Sequence, residues 1–183
     1  FSLVITLDCG ISNFQEVADL KRHNIDVIII DHHHLHSGKL PCADAVINPK
    51  REDSDYPFKD LAGVGLSYKF ASCLLEDELE EELDLVCLGT VADVAPLLGE
   101  NRIIVKEGLK QLNKSGRPGL KALLEKAGIA NKILNAGHIS FVLGPRLNAC
   151  GRIDSADAAL ELLLCRSPER SVELAEHLHN KNR

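Results

Sequence analysis

Apolar residues follow two rhythms along this chain. Near the start they form short unbroken runs: Leu3-Val4-Ile5 continuing to Leu7, then Val27-Ile28-Ile29-Ile30, then Ala45-Val46-Ile47. Continuous β-branched runs of this length suit strands buried on both faces of a parallel sheet. Between the first two runs, Cys9-Gly10-Ile11 reads as a loop, and Ser12 or Asn13 reads as the N-cap of a helix reaching Lys21-Arg22-His23. Asn48-Pro49 closes the third strand. This is a βαβ pattern, for which a right-handed crossover is expected.

From about residue 60 the rhythm becomes helical. The pattern predicts helices over 61–75, 79–94, 101–113, 118–127, 155–164 and from 168 onward. Gly63 and Gly65 fall in the first of these and allow close packing. The second is acidic at its start, as the helix dipole favours. The fourth has Pro118 at its entry and Gly128 at its end. Residues 136–143 carry no clear period. The fold class expected is α/β: a parallel sheet with flanking helices over 1–50, then a mainly helical 60–183.

Composition limits what this fold can be. With 183 residues, 45% of them hydrophobic, the chain can build a sizeable core. Aromatics make up 4%, so that core must be aliphatic. No apolar run approaches the roughly 20 residues of a membrane-spanning helix, and no membrane partner is expected. Residues 1–7 lack the basic flank and cleavage site of a signal peptide. The six cysteines, Cys9, Cys42, Cys73, Cys87, Cys150 and Cys165, form no CxxC pair. Buried free thiols in a reducing cytoplasm are the expectation. Methionine is absent even at position 1, and the chain opens directly on a strand; it reads as an internal piece of a longer protein.

The net charge of −6 argues on its own against nucleic acid, but its distribution is uneven. Residues 76–84 carry seven acids and no base, whereas 100–152 carry ten Lys or Arg against three Glu. Such runs are commonly two solvated faces, and they also leave room for a phosphate-rich partner on one side.

The chemistry concentrates at the strand ends. Asp8 follows the first strand and Asp31 the second, and Asp31 is followed by His32, His33 and His34. In open α/β sheets the C-terminal edge of the strands is where ligands bind. Carboxylate with imidazole is a ligand mixture for Mn²⁺, Fe²⁺ or Zn²⁺. Two such cations clamp a phosphate and activate a water for in-line attack. A third carboxylate is expected from Asp93, a lone acid in the apolar stretch Leu88-Gly89-Thr90-Val91-Ala92-Asp93-Val94. A buried Asp needs a partner; a metal is one, and a helix cap or an arginine is the alternative. Arg146 and Arg152 flank a Gly- and Asn-containing loop, and their guanidinium forks match phosphate oxygens. The competing reading pairs them with Asp154, Asp157 or Glu161. His34, His36, His138, His177 and His179 read as solvated or structural, as do Lys50 and Arg51.

Asp31-His32-His33 is the signature tripeptide of the DHH phosphoesterases, and the chain resembles that family in motif order. Asp8 in TLDCG is similar to its second motif and Asp93 in GTVADV to its fourth. The resemblance implies a dinuclear centre of two Mn²⁺ (or Mg²⁺) ions, bridged by Asp8, with His32 and Asp93 as further ligands and His33 facing the substrate phosphate. Leu61-Ala62-Gly63-Val64-Gly65, the stretch from Pro41 to Pro49 and Gly144-Pro145-Arg146-Leu147-Asn148-Ala149-Cys150-Gly151-Arg152 narrow the resemblance to the RecJ exonuclease branch. That branch implies substrate contacts from His33, Arg146, Asn148 and Arg152. It also implies 5′-end digestion of single-stranded DNA in repair and recombination, a cytoplasmic location, and a single-strand-binding protein and a helicase as partners. The family's first, Asp-x-Asp motif is absent from the chain, as are the DHHA1 and OB domains, so residues 1–183 read as a partial DHH catalytic domain. Two other functions remain open: a DHH phosphoesterase of oligonucleotides, cyclic dinucleotides or pyrophosphate, and a catalytically inactive scaffold.

Overall fold

A computed structural model describes residues 1–35, 38–151 and 156–182; the side chains of Cys150 and Gly151 are outside the description. The chain forms two compact units. The first comprises Phe1–Glu82 with Ala95–Ile104, and the second Leu83–Val94 with the chain from Val105 onward.

The first unit is built on three parallel strands, β1 (Leu3–Leu7), β2 (Asp26–Ile30) and β3 (Ala45–Ile47), in the order β1-β2-β3. Helix α1 (Phe14–Arg22) links β1 to β2, so the βαβ pattern of the sequence is realised. Asn13 stands at its N-cap position without a side-chain capping bond. The middle strand is the one buried on both faces, with Val27, Ile29 and Ile30 sealed from solvent. Val17 of α1 packs on Val27 and Ile29, with Leu20, Ala43 and Val46 around them. β1 departs from the expectation of two-sided burial: Leu3, Ile5 and Leu7 are exposed. It is an edge strand, and alternate side chains on its outer face meet solvent.

Helix α2 (Gly63–Leu75) packs on β1 and β2. The irregular segment before it is tied down by polar groups rather than by a core. Asn101, fully buried, donates through Nδ2 to the carbonyls of Asp60 and Pro96 and accepts from Ala62 N–H. Tyr56 Oη donates to Glu100 Oε1 at 2.6 Å, and Lys69 Nζ donates to Glu100 Oε2 at 2.7 Å.

In the second unit, α3 (Leu83–Ala92) begins later than the pattern of 79–94 predicts. Leu79 adopts a left-handed φ of 49°, and Glu80–Glu82 form a 3₁₀ turn before the α-helix starts. Helix α4 (Gly99–Leu112) gives its first residues to the first unit and the rest to the second. Then follow α5 (Pro118–Lys126), the single turn α6 (Ala136–His138), a π-helical turn at Ile139–Leu143, α7 (Gly144–Gly151), α8 (Asp157–Leu164) and α9 (Pro168–Lys181). The segment expected as a Gly- and Asn-containing loop is therefore the helix α7. Pro145 is its second residue, following directly on the π-helical turn, whose last bond runs from Gly144 N–H to Ile139 O. The core is aliphatic, as the low aromatic content requires: Leu120, Leu123, Ile139, Leu143, Leu162 and Leu178 are fully buried. The acid buried in α3 is Asp84 rather than Asp93. It accepts from Arg117 Nε and Ser115 Oγ, which offset its desolvation.

The five cysteines whose side chains are described are all free thiols. The expectation that they are buried holds only for Cys87, whose thiol burial pushes up to about 12. Cys9, Cys42 and Cys73 are exposed, on loop and helix faces that the apolar pattern alone does not distinguish from core. Among the described residues, no helix is long and apolar enough to cross a membrane.

The Glu100 network makes one prediction. Burial works to raise the Glu100 carboxyl, but the bonds from Lys69 and Tyr56 outweigh it and hold it below its ordinary 4.5. A depressed folded value contributes stability above the unfolded pKa and loses it as pH falls through the folded one. Lys69→Met is therefore expected to destabilise the chain at neutral pH and to flatten the loss of stability below about pH 4.5, read as denaturant midpoint against pH.

Candidate metal centre

The sheet register places the site. β1 and β2 pair so that Leu7 lies beside Ile30, and the next residues are Asp8 and Asp31. Each is anchored by one more ladder-like bond: Asp8 N–H donates to Ile30 O at 2.8 Å, and Asp31 N–H donates to Ile47 O at 3.0 Å. Both aspartates thus stand on the C-terminal edge of adjacent parallel strands, the ligand edge of such sheets.

Beyond this point the chain leaves the sheet by special conformations. Asp8 has a left-handed φ of 62°, which Asp tolerates better than most residues. Gly10 follows with φ 113°, and a side chain there would collide with Thr6 Oγ1 and Ile29. The hydroxyl of Thr6 donates to Cys9 O at 2.9 Å and closes the turn. This turn aims the Asp8 carboxylate outward, and its side chain is 56% exposed.

His32 is the enclosed member, with a side chain 12% exposed and Nε2 3.1 Å from Asp8 Oδ1. His33 is exposed, its ring 4.6 Å from that of His32 between centroids and tilted by 59°. Asp8, His32 and His33 each offer a ligand atom within 4.8 Å of the others. Among the described residues, they form the group able to hold a metal ion. One carboxylate with two imidazoles is a donor set for Mn²⁺, Fe²⁺ or Zn²⁺. Asp8 and His33 open onto a cleft of about 340 Å³ also lined by Cys9 to Asn13, Asp31 and His34.

Asp31, which sequence reasoning left without a role, is the most enclosed acid here, at 1% exposure. Its Oδ1 accepts from His32 N–H at 2.8 Å, His33 N–H at 3.1 Å and His33 Nδ1 at 2.7 Å. Its Oδ2 accepts from Ile11 N–H at 3.0 Å. Burial alone would raise its carboxyl; these bonds outweigh burial and bring it below the usual range. Asn48, also buried, donates to His33 O at 3.0 Å and accepts from Lys50 N–H. The signal for Asp31 was present: an Asp bonding to N–H groups one and two residues on is a common turn device. The signal for Asn48 was hidden in an apparent NP turn.

Of the remaining candidates, Asp93, Arg146 and Asn148 lie in the second unit. Asp93 is an exposed residue just past α3, its N–H donating to Gly89 O at 2.9 Å, and not the buried helical acid expected. Val94 beside it has φ 58° and is 85% exposed, a costly conformation for a β-branched residue. Val94, Ala92, Ser140, Gly144 and Asn148 line a cavity of about 500 Å³ in this unit. Its π-helical wall is of a kind frequent at functional sites. Arg146 is engaged within the unit: Nη1 donates to Val142 O at 2.7 Å and Nε to His179 Nδ1 at 3.3 Å. Asp154, one of the acids expected as an alternative partner, lies outside the described residues. His138 is structural, as expected, sharing reciprocal capping bonds with Asn135. Arg51 is engaged by Asp53 and Val46 O. Arg152 and His36 lie outside the described residues.

Gly63 supplies the check on this geometry. A Cβ there would fall well inside contact distance of Asp8 Oδ1, the movable end of a side chain. Gly63→Ala is therefore expected to displace the Asp8 carboxylate rather than the backbone. The predicted result is a ~10–100-fold loss of Mn²⁺ affinity by calorimetry, the range for disturbed ligand support, with the thermal midpoint little changed.

Comparison with known proteins follows the same lines. Residues 2–90 match the DHH family, N-terminal domain. The chain is 43% identical over 183 residues to the single-stranded-DNA-specific exonuclease RecJ of Bacillus subtilis, covering all of this chain and 23% of that protein. It is 41% identical over 196 residues to the RecJ of Escherichia coli, covering 98% of this chain and 34% of that protein. The chain thus spans a quarter to a third of the length of these curated relatives. Among solved structures it superposes on RecJ of Thermus thermophilus in complex with Mn²⁺ with a TM-score of 0.85 and 34% identity, covering 99% of this chain and 28% of that one. A second structure, exonuclease RecJ bound to manganese, gives 0.82 and 34%, covering 99% and 46%. The DHH tripeptide, on the ligand edge of a parallel sheet, falls within the residues 2–90 that match the DHH family, N-terminal domain, and over its whole length the chain is similar to RecJ.

Proposed function

We propose that this chain is part of the catalytic domain of a RecJ-type exonuclease, a metal-dependent hydrolase that removes nucleotides from the 5′ end of single-stranded DNA in repair and recombination. The observation that carries the reading is the convergence of Asp8, His32 and His33 at the ligand edge of β1 and β2, in a chain whose relatives are named as single-strand-specific exonucleases. Asp8, His32 and Asp93 are the proposed ligands of a pair of Mn²⁺ or Mg²⁺ ions, and the related structures carry Mn²⁺ or Mg²⁺. Such ions neutralise phosphate charge and acidify a water for attack at phosphorus.

The chain's own groups supply the rest. The exposed Asp8 carboxylate and the His33 ring face open solvent, where a strand end can approach. The enclosed His32 ring holds its donor atom close to Asp8 and gives the site a fixed geometry. Asn148, on α7, is proposed to contact substrate together with Arg146 and Arg152. For Arg146 this requires exchanging the Val142 and His179 bonds for phosphate, an exchange that bidentate recognition of an oxyanion favours. The first DHH motif and the DHHA1 and OB domains are proposed to lie elsewhere in the parent protein, which acts in the cytoplasm with a single-strand-binding protein and a helicase.

The test is hydrolysis by the full-length protein with Mn²⁺, given a 5′-labelled long single strand, the same strand labelled at its 3′ end, a blunt duplex and a dinucleotide. Stepwise loss of label from the 5′ end of the long strand is expected, with Asp8→Asn inactive. An intact single strand overturns the reading, and hydrolysis of the dinucleotide alone replaces it with a small-substrate phosphoesterase.

A further inference from the structure

We propose that Asp31 is a positioning residue: its buried carboxylate fixes His33 as the Nδ1–H tautomer, leaving the lone pair on Nε2, and ties the loop carrying Asp8 to the loop carrying His32 and His33. The inference rests on the proposed metal site at Asp8 and His32, with His33 beside them, and deepens it by naming what holds these groups in place.

The geometry leaves Asp31 little other use. At 1% exposure it meets no solvent, and both oxygens are engaged by the two loops. Oδ1 gathers three donors from the His32–His33 segment: the two backbone N–H groups and the His33 ring Nδ1. Oδ2 takes Ile11 N–H, three residues beyond Asp8. One carboxylate therefore spans the ends of β1 and β2 just where the ladder of the sheet gives out. An ionised carboxylate only accepts hydrogen bonds. At 2.7 Å, His33 Nδ1 must then carry the proton, so its free lone pair is on Nε2. A carboxylate on the far nitrogen of a histidine is the usual way a ligand ring is oriented and its tautomer set. The His33 ring is 59% exposed and would turn freely without this bond. Asn48 braces the same residue from the other side, holding His33 O at 3.0 Å.

A capping role alone would satisfy the backbone N–H groups and would not touch the ring. The two functions separate by substitution. In Asp31→Asn the amide oxygen can keep the three donors at Oδ1, but its NH₂ then faces Ile11 N–H, donor against donor. In Asp31→Ala both ties are lost.

The experiment is NMR of the metal-free chain, reading the His33 ring nitrogen shifts and Ile11 amide exchange, with Mn²⁺ affinity measured alongside. The wild-type chain is expected to show His33 protonated on Nδ1 and a protected Ile11 amide. Asp31→Asn should keep the tautomer, expose Ile11 to faster exchange and weaken Mn²⁺ about 10–100-fold. Asp31→Ala, where it folds, should move the His33 proton toward Nε2. A wild-type His33 protonated on Nε2 overturns the proposal. So does an Asp31→Asn chain with wild-type Ile11 exchange and wild-type Mn²⁺ affinity. Absence of Mn²⁺ affinity in the wild-type chain sinks the metal reading instead, while tautomer and exchange still decide the role of Asp31.

Discussion

Parallel pairing of β1 with β2, in the register that sets Leu7 beside Ile30, is the constraint on which the candidate centre depends. Because side chains alternate along a strand, a slip of one residue would turn the following aspartate to the other face. The register is held from below by Val17 against Val27 and Ile29, and from above by Asp8 N–H on Ile30 O. Asp31 then extends the sheet's order into the loops, where no backbone ladder remains. Core packing, strand register and ligand geometry are therefore one continuous chain of causes.

The site combines rigidity and access in different residues. Asp31 and Asn48 are buried and hydrogen-bonded, whereas Asp8 and His33 are open to solvent and His32 lies between. Buried polar groups are costly unless satisfied, and here that satisfaction fixes the geometry of the exposed ones. Left-handed backbone at Asp8 and again at Val94 marks both stretches from which the sequence nominated carboxylate ligands. Strain of this kind persists only where the surrounding structure over-determines it.

Much of the first unit was legible in the sequence because β-branched runs of four or five residues admit few conformations. Asp8 and Asp31 at the strand ends followed directly. What the pattern hid has physical causes. Acidic residues at 80–82 resemble a helix start, yet the left-handed Leu79 delays the helix to Leu83, and the buried acid is Asp84. Asp93 keeps its place in the motif but stands exposed beyond the helix end. Gly144-Pro145 looked like a loop, but the π-helical turn at Ile139–Leu143 carries the helical run straight into α7. Asp31 was visible as a strand-end acid, but its donors include Ile11 N–H, which only the fold brings to it.

The central claim is that Asp8 and His32 hold a divalent cation together. Its most direct test is titration of the chain with Mn²⁺, followed by the loss of the free-ion electron paramagnetic resonance signal, in wild-type, Asp8→Asn and His32→Ala forms. The account predicts that the wild-type chain binds Mn²⁺ and that either substitution abolishes binding at the same concentrations. Equal binding by all three forms, or none by the wild-type chain, would contradict it.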